Sequence, residues 1–323
     1  MEWNKLSHRI IQGLPLRENE AYDLAEEPES SLFDMMSAAD MLRRHFKGNR
    51  IHTCSFLNEK FRARSENCAY CAQNDSVKKD PSLFPLVEEE SFTEHAQRAE
   101  EMGVTCFGMV ASDYRFTGKD LDRFVLHFKQ IKKGRTKYCA SLGMLSKEDF
   151  LKLKECGVNR IHHNLETSRT FFPNICSLHS YDDRLQTIQK AQNADLAVCS
   201  GGLFGLGETD RDVVDLALEL RGLHVDFIPV NFLIPALKIR FENKKPISPR
   251  RALKIIALMR LINPRAEIIV GCGREQLLGE LHPLVFFAGA SGIIVGDFST
   301  CKGRNKNLDK AMLDGLGLEH SLK

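Results

Sequence analysis

The chain has 323 residues, 43% of them hydrophobic, with a net charge of +2 and a pI near 8.0. That length suits one large α/β core, and the near-balanced charge gives no reason to expect nucleic acid or an anionic membrane as a partner. A charged start, Met1-Glu2-Trp3-Asn4-Lys5, is followed by no apolar run of about 18 residues, so a cytoplasmic chain without a membrane segment is expected.

Residues 1–50 read as a helical extension. Leu6, Ile10 and Ile11, then Met36, Met41, Leu42 and Phe46, recur at helical spacing. From residue 51 the pattern alternates. β-rich runs begin near Ile51, Val104, Thr136, Val158, Leu196, Val225, Ala266 and Gly292, and amphipathic segments lie between most of them. Ser91-Phe92-Thr93-Glu94 and Thr209-Asp210-Arg211-Asp212 have the spacing of helix caps. Ser248-Pro249 sets a cap before a proline at the first helical position, and Gly103, Gly134 and Gly157 fall where helices should stop.

Eight strand–helix units predict an α/β fold, a parallel (βα)8 TIM-type barrel over residues 51–323, with extra N-terminal helices packed outside or beneath it. No low-complexity linker divides the chain, so a single domain is expected. In such barrels the chemistry sits at the C-terminal ends of the strands, which is where the loop after the first strand emerges.

Ten cysteines in a chain expected to be cytosolic point to metal or redox chemistry before disulfides. Cys68 and Cys71 stand two residues apart in Arg64-Ser65-Glu66-Asn67-Cys68-Ala69-Tyr70-Cys71-Ala72-Gln73. A zinc site would need two more ligands, and this loop offers none at plausible spacing. Cys54, Cys156 and Cys176 read as small core residues.

Further segments carry a resemblance: His163-Asn164-Leu165-Glu166-Thr167-Ser168-Arg169, Cys199 through Thr209, Pro229-Val230-Asn231-Phe232-Leu233 and Gly273-Arg274-Glu275. With them, from about residue 30 to residue 318, the chain resembles biotin synthase, a family of radical S-adenosylmethionine (SAM) enzymes. The resemblance implies sulfur insertion that converts dethiobiotin, or a close analogue, to biotin. A [4Fe-4S] cluster would reduce SAM and release a 5′-deoxyadenosyl radical, and an auxiliary [2Fe-2S] cluster would donate the sulfur. It further implies a small-molecule substrate, a reductant such as flavodoxin or ferredoxin, and a homodimer.

The resemblance also carries over residue by residue. Cys68 and Cys71 are the last two cysteines of the family's Cys-x3-Cys-x2-Cys loop, which holds the [4Fe-4S] cluster. Arg64 stands at the first, and a protonated guanidinium offers iron no lone pair. Cys139, Cys199 and Arg274 match [2Fe-2S] ligands on inward strand positions. The fourth belongs in the second strand, where Gly108 occupies the place of a cysteine. Cys106 shares the face of Gly108, and Cys272 that of Arg274, each two residues away, or about 6.6 Å. A simple exchange would displace the cluster, so both are read as core packing. Tyr70 resembles the aromatic beside the SAM adenine. Gly201, Gly205 and Glu208 match a SAM-binding strand motif, Asn164 and Glu166 a pair on the SAM ribose, and Asn164 and Asn231 substrate contacts. His162 departs from the asparagine usual there, and Ile234 to Arg240 replace a Gly-Thr-Pro turn.

These residues leave three readings open: a working sulfur-inserting enzyme, a non-catalytic relative that has lost cluster ligands and binds only SAM, a ligand or a partner, and a barrel with a redox or metal-handling thiol pair.

Overall fold

Every strand of the sheet runs parallel to its neighbours in the computed structural model, which describes residues 2–59, 69, 89–111, 118–235, 241, 243–296 and 303–323. The strands are β1 (His52–Glu59), β2 (Cys106–Ala111), β3 (Lys137–Ser141), β4 (Arg160–His162), β5 (Ala197–Cys199), β6 (Gly202–Phe204), β7 (Phe227–Phe232), β8 (Glu267–Val270) and β9 (Gly292–Ile294). Each expected run begins within about two residues of an observed strand, inside the usual scatter of strand ends. The order β5-β4-β3-β2-β1-β9-β8-β7-β6, with β5 also pairing to β7, closes the sheet on itself. β5 and β6 are two halves of one barrel strand, so the barrel is eight-stranded. The break falls at Ser200-Gly201. A Cβ at Gly201 would run into the carbonyl of Pro229, so only glycine lets the chain pass that close to β7.

Helices alternate with the strands as the amphipathic pattern predicts. Thr209 caps the helix Asp210–Gly222, accepting from Asp212 N at 3.2 Å, while the Asp212 carboxylate accepts from Thr209 N at 2.8 Å. Ser248 caps Pro249–Ile262 by accepting from Arg251 N at 3.1 Å. The helix expected to start at Ser91 begins earlier, as Glu89–Met102.

The N-terminal helices Trp3–Ile11, Glu18–Glu26 and Leu32–Lys47 lie outside the barrel. Leu32–Lys47 buries Met35, Met36, Ala39 and Leu42 and packs on Pro249–Ile262. Polar ties fix this layer. Tyr22 Oη donates to Asp215 at 2.6 Å, and Lys254 Nζ donates to the carbonyl of Ala25 at 2.6 Å. Among the described residues, no helix is long and apolar enough to cross a membrane.

Candidate active site

The barrel interior holds a layer of thiols. Cys54 on β1 pairs in register with Cys106 on β2, and both side chains are buried with that of Cys139 on β3 against Ile269 and Ile294. His52, Cys54 and Cys106 bring three ligand atoms within 4.8 Å of one another. Cys199, at the end of β5, is also buried, with its Sγ 3.4 Å from Nδ1 of His162. None of these cysteines is in a disulfide.

Arg160, on β4, lies among these thiols. It is 5% exposed, its guanidinium carbon sits 3.0 Å from the centre of the Phe227 ring, and both terminal nitrogens are 3.5 Å from His52 Nε2. Among the described residues no carboxylate pairs with it. Burial works against its charge, while the neighbouring sulfurs, Cys106 foremost, work the other way, and the net effect raises its pKa. The thiols polarise one another in turn. Hydrogen bonds from Cys139 and Cys54 pull Cys106 well below the ordinary thiol range, while the bond to Cys106 raises Cys54 and burial raises Cys139. Burial pushes Cys199 up to about 12. Burial and the charge of Arg160 push His162 down to about 4, so its ring is neutral at pH 7.

Cys139 and Cys199 are buried inside the barrel. Arg274 is buried beyond the end of β8. Gly273 takes a left-handed backbone with φ 82°, and Arg274 opens a short helix, Arg274–Leu278, instead of extending β8. Its guanidinium donates to Asp309 at 2.5 Å, to the carbonyl of Ile294 at 3.0 Å, and to His282. The pair ties the end of β9 to the C-terminal helix Lys306–Gly315, and the buried Nε of Arg274 has no hydrogen-bond partner among the described residues. Cys54 is a core residue, as expected, in the small cluster it forms with Cys106 and Cys139 inside the barrel. Cys156 and Cys176 remain in the apolar core, as expected.

At position 108 a side chain has no room. A Cβ built there would overlap the Phe56 ring, which also meets His162 edge-on with centroids 5.9 Å apart. Arg64, Cys68, Tyr70 and Cys71 lie outside the described residues. Ala69, between the motif cysteines, is described, and its N–H donates to the carbonyl of Ile175 at 2.9 Å.

Towards the C-terminal ends of the strands the lining turns polar. Asn164 Oδ1 accepts from Gly201 N at 3.1 Å, and its Nδ2 donates to Glu166 at 3.3 Å, so the two residues expected to share a face do meet. Glu166 holds a left-handed backbone, φ 73°, and bridges to Gly202. Asn231 accepts from Cys272 N at 3.0 Å and donates to the carbonyl of Gly202 at 3.4 Å. Gly205 is left-handed too, φ 98°, and a side chain there would meet Leu233 and Ile247 at ordinary van der Waals distance. Glu208 shapes the turn: its buried carboxylate accepts from the amides of Gly205, Leu206 and Gly207 at 2.9, 2.8 and 3.0 Å.

Comparison with known proteins now has a site to refer to. Residues 65–220 match the model of the radical SAM superfamily, and residues 229–319 match the biotin and thiamin synthesis associated domain. The chain is 45% identical over 296 residues to the biotin synthase of Desulfatibacillum aliphaticivorans, covering 92% of this chain and 90% of that one.

The chain belongs to the biotin synthase family.

A second relative, the biotin synthase of Citrifermentans bemidjiense, is 41% identical over 98% of this chain and 97% of its own length. Among solved structures, methylornithine synthase superposes with a TM-score of 0.84 at 22% identity over 98% of this chain and 97% of that one, a likeness of fold. For a family that carries iron–sulfur clusters, the donor set of the barrel interior fits: soft thiols, buried together without disulfides and facing a cation. Sequence reasoning missed Arg160, His52 and Phe56. The signal for Arg160 was available, since Arg160, His162 and Asn164 alternate along β4 and an arginine in the middle of a barrel strand faces either solvent-side helices or the axis.

Proposed function

We propose that this chain inserts sulfur into dethiobiotin to form biotin, as a radical SAM enzyme. The observation that carries the reading is the buried thiol layer beneath a polar, glycine-lined mouth, in a chain of this family. When bound, a [4Fe-4S] cluster on Cys68 and Cys71 supplies the electron that cleaves SAM, and a [2Fe-2S] cluster with Cys139 and Cys199 among its ligands supplies the sulfur.

The protein's own residues set the geometry. Glu208 holds the turn Gly205–Gly207 so that the nucleoside can approach backbone, and Gly201 keeps Asn164 aimed through its amide. Asn164 and Glu166 are assigned to the SAM ribose, Asn164 and Asn231 to substrate. An amide side chain offers both a donor and an acceptor, which matches the donor–acceptor edge of a cyclic urea. Along the parallel strands Cys54 lies two residues below Phe56, and Arg160 four below Asn164. The thiols thus sit about 6.6 Å or more beneath the mouth, buried below Phe56 and His162. A reactive carbon radical formed above them would have sulfur on its barrel side. Flavodoxin or ferredoxin is the proposed reductant, and a homodimer the proposed assembly.

Anaerobic reconstitution with iron and sulfide tests the reading. Under reduction with SAM and dethiobiotin, the expected products are 5′-deoxyadenosine and biotin. SAM binding with neither product would leave a non-catalytic relative.

A further inference from the structure

We propose that the sulfur-donating centre of this chain is held by four thiolates, Cys54, Cys106, Cys139 and Cys199, with Arg160 as its buried counter-charge. This deepens the sulfur-inserting reading and rests on it.

Three observations lead there. The ring of Phe56 fills the place of a side chain at residue 108, so β2 cannot present a ligand at that height. Cys106, two residues below on the same face, presents one, and its register partner Cys54 adds a second thiol on β1. These two sulfurs and the His52 ring nitrogen lie within 4.8 Å of each other, a spacing that one metal ion or one edge of a cluster spans. Finally, Arg274 pairs with Asp309, while Arg160, from β4, stands in register with Cys139 and lies 3.5 Å from Nε2 of His52, the third member of the Cys54–Cys106 group.

Four thiolates complete both irons of a [2Fe-2S] unit. The resulting centre, two ferric ions, two sulfides and four thiolates, carries a net negative charge that an arginine ligand would have reduced. Arg160 restores that balance from outside the coordination sphere, and His52 and His162 lie in reach of the sulfurs as hydrogen-bonding partners. The ligand exchange is thus concerted: a phenylalanine closes the old position, and two cysteines one layer down open a new one.

The test begins from a full-length Cys68→Ala/Cys71→Ala protein, in which any reconstituted iron belongs to the barrel. Its iron, sulfide, absorption and Mössbauer spectra are compared with those of the same protein carrying Cys54→Ser, Cys106→Ser or, as a control in the outer core, Cys156→Ala. Melting of the apo-proteins checks that each is folded. The expected result is about two irons and two sulfides per chain in the parent and the control, with most of both lost, or the spectrum changed, in each serine variant. Unaltered iron and spectra in the folded Cys54→Ser and Cys106→Ser proteins would overturn the proposal. So would a parent that binds zinc but no iron and sulfide. The two readings separate cleanly. A serine variant of otherwise intact protein that still makes biotin defeats the ligand set and leaves the function standing. A chain that loads the centre on these residues, cleaves SAM and makes no biotin defeats the function and leaves the ligand set.

Discussion

Phe56 and Gly108 are in register on neighbouring strands, and the aromatic ring of one occupies the side-chain volume of the other. The pair predicts its own mutational signature. Gly108→Ala forces the ring of Phe56 aside in a closed interior and should destabilise the fold by about 1–3 kcal/mol, the usual range for overpacking. Phe56→Leu should recover much of that loss in the double variant, giving a clear coupling energy between the two sites. Urea unfolding of the four proteins of the cycle measures it, and strictly additive effects would contradict the contact.

Glu208 carries a second prediction. Three backbone amides converge on its carboxylate, and Arg251 lies 3.4 Å away. Glu208→Gln keeps the shape but turns an NH2 group towards amide donors. A loss of about 2–3 kcal/mol is expected, since hydrogen bonds to a charged group are stronger than neutral ones and a buried unpaired amide adds its own cost. SAM affinity should weaken with it, because the turn loses its form. Weakened SAM binding at unchanged stability would instead mean that the carboxylate touches the ligand.

Much of the barrel was legible because its signals are local. β-branched runs mark strands, caps mark helix starts, and alternation marks which side chains face inward. The layer at which they face inward was not legible, since it depends on register between strands. Cys54 and Cys106 are 52 positions apart and look unrelated until β1 and β2 pair them. The setting of Arg274 turns on a local event instead: past the end of β8, Gly273 takes a left-handed backbone and the chain enters a short helix at the arginine. The bonds of Glu208 to amides one to three residues before it were not legible either, since they depend on the shape of the turn and not on the motif's spacing.

Buried histidines predict an acid-sensitive fold. Burial and the neighbouring Arg274 push His282 down to about 3, and burial with Arg184 holds His163 well below its usual range. Both are neutral when folded and bind protons when unfolded. Their contribution is therefore complete above the unfolded value of about 6.5 and is lost as pH falls below it, approaching about 1.4 kcal/mol per pH unit for each group. Unfolding free energies measured between pH 7 and pH 5 should fall with this slope. His282→Asn, though less stable throughout, should show a shallower dependence by one proton, and an unchanged slope would exclude His282 as a contributor.

The last prediction concerns Arg64. A radical SAM cluster needs three protein ligands so that one iron remains open to the amino and carboxylate groups of SAM. Cys68 and Cys71 supply two, and a protonated guanidinium is a poor third. Arg64→Cys restores the full Cys-x3-Cys-x2-Cys spacing and removes a positive charge beside two thiolates. Iron retained after reconstitution and desalting should rise, by up to about four irons per chain, and the yield of 5′-deoxyadenosine from SAM should rise with it. The barrel centre serves as the internal standard, because its iron should not change. If neither the iron nor SAM cleavage increases, position 64 is not what limits the loop, and the ligand that completes its cluster lies elsewhere in the chain.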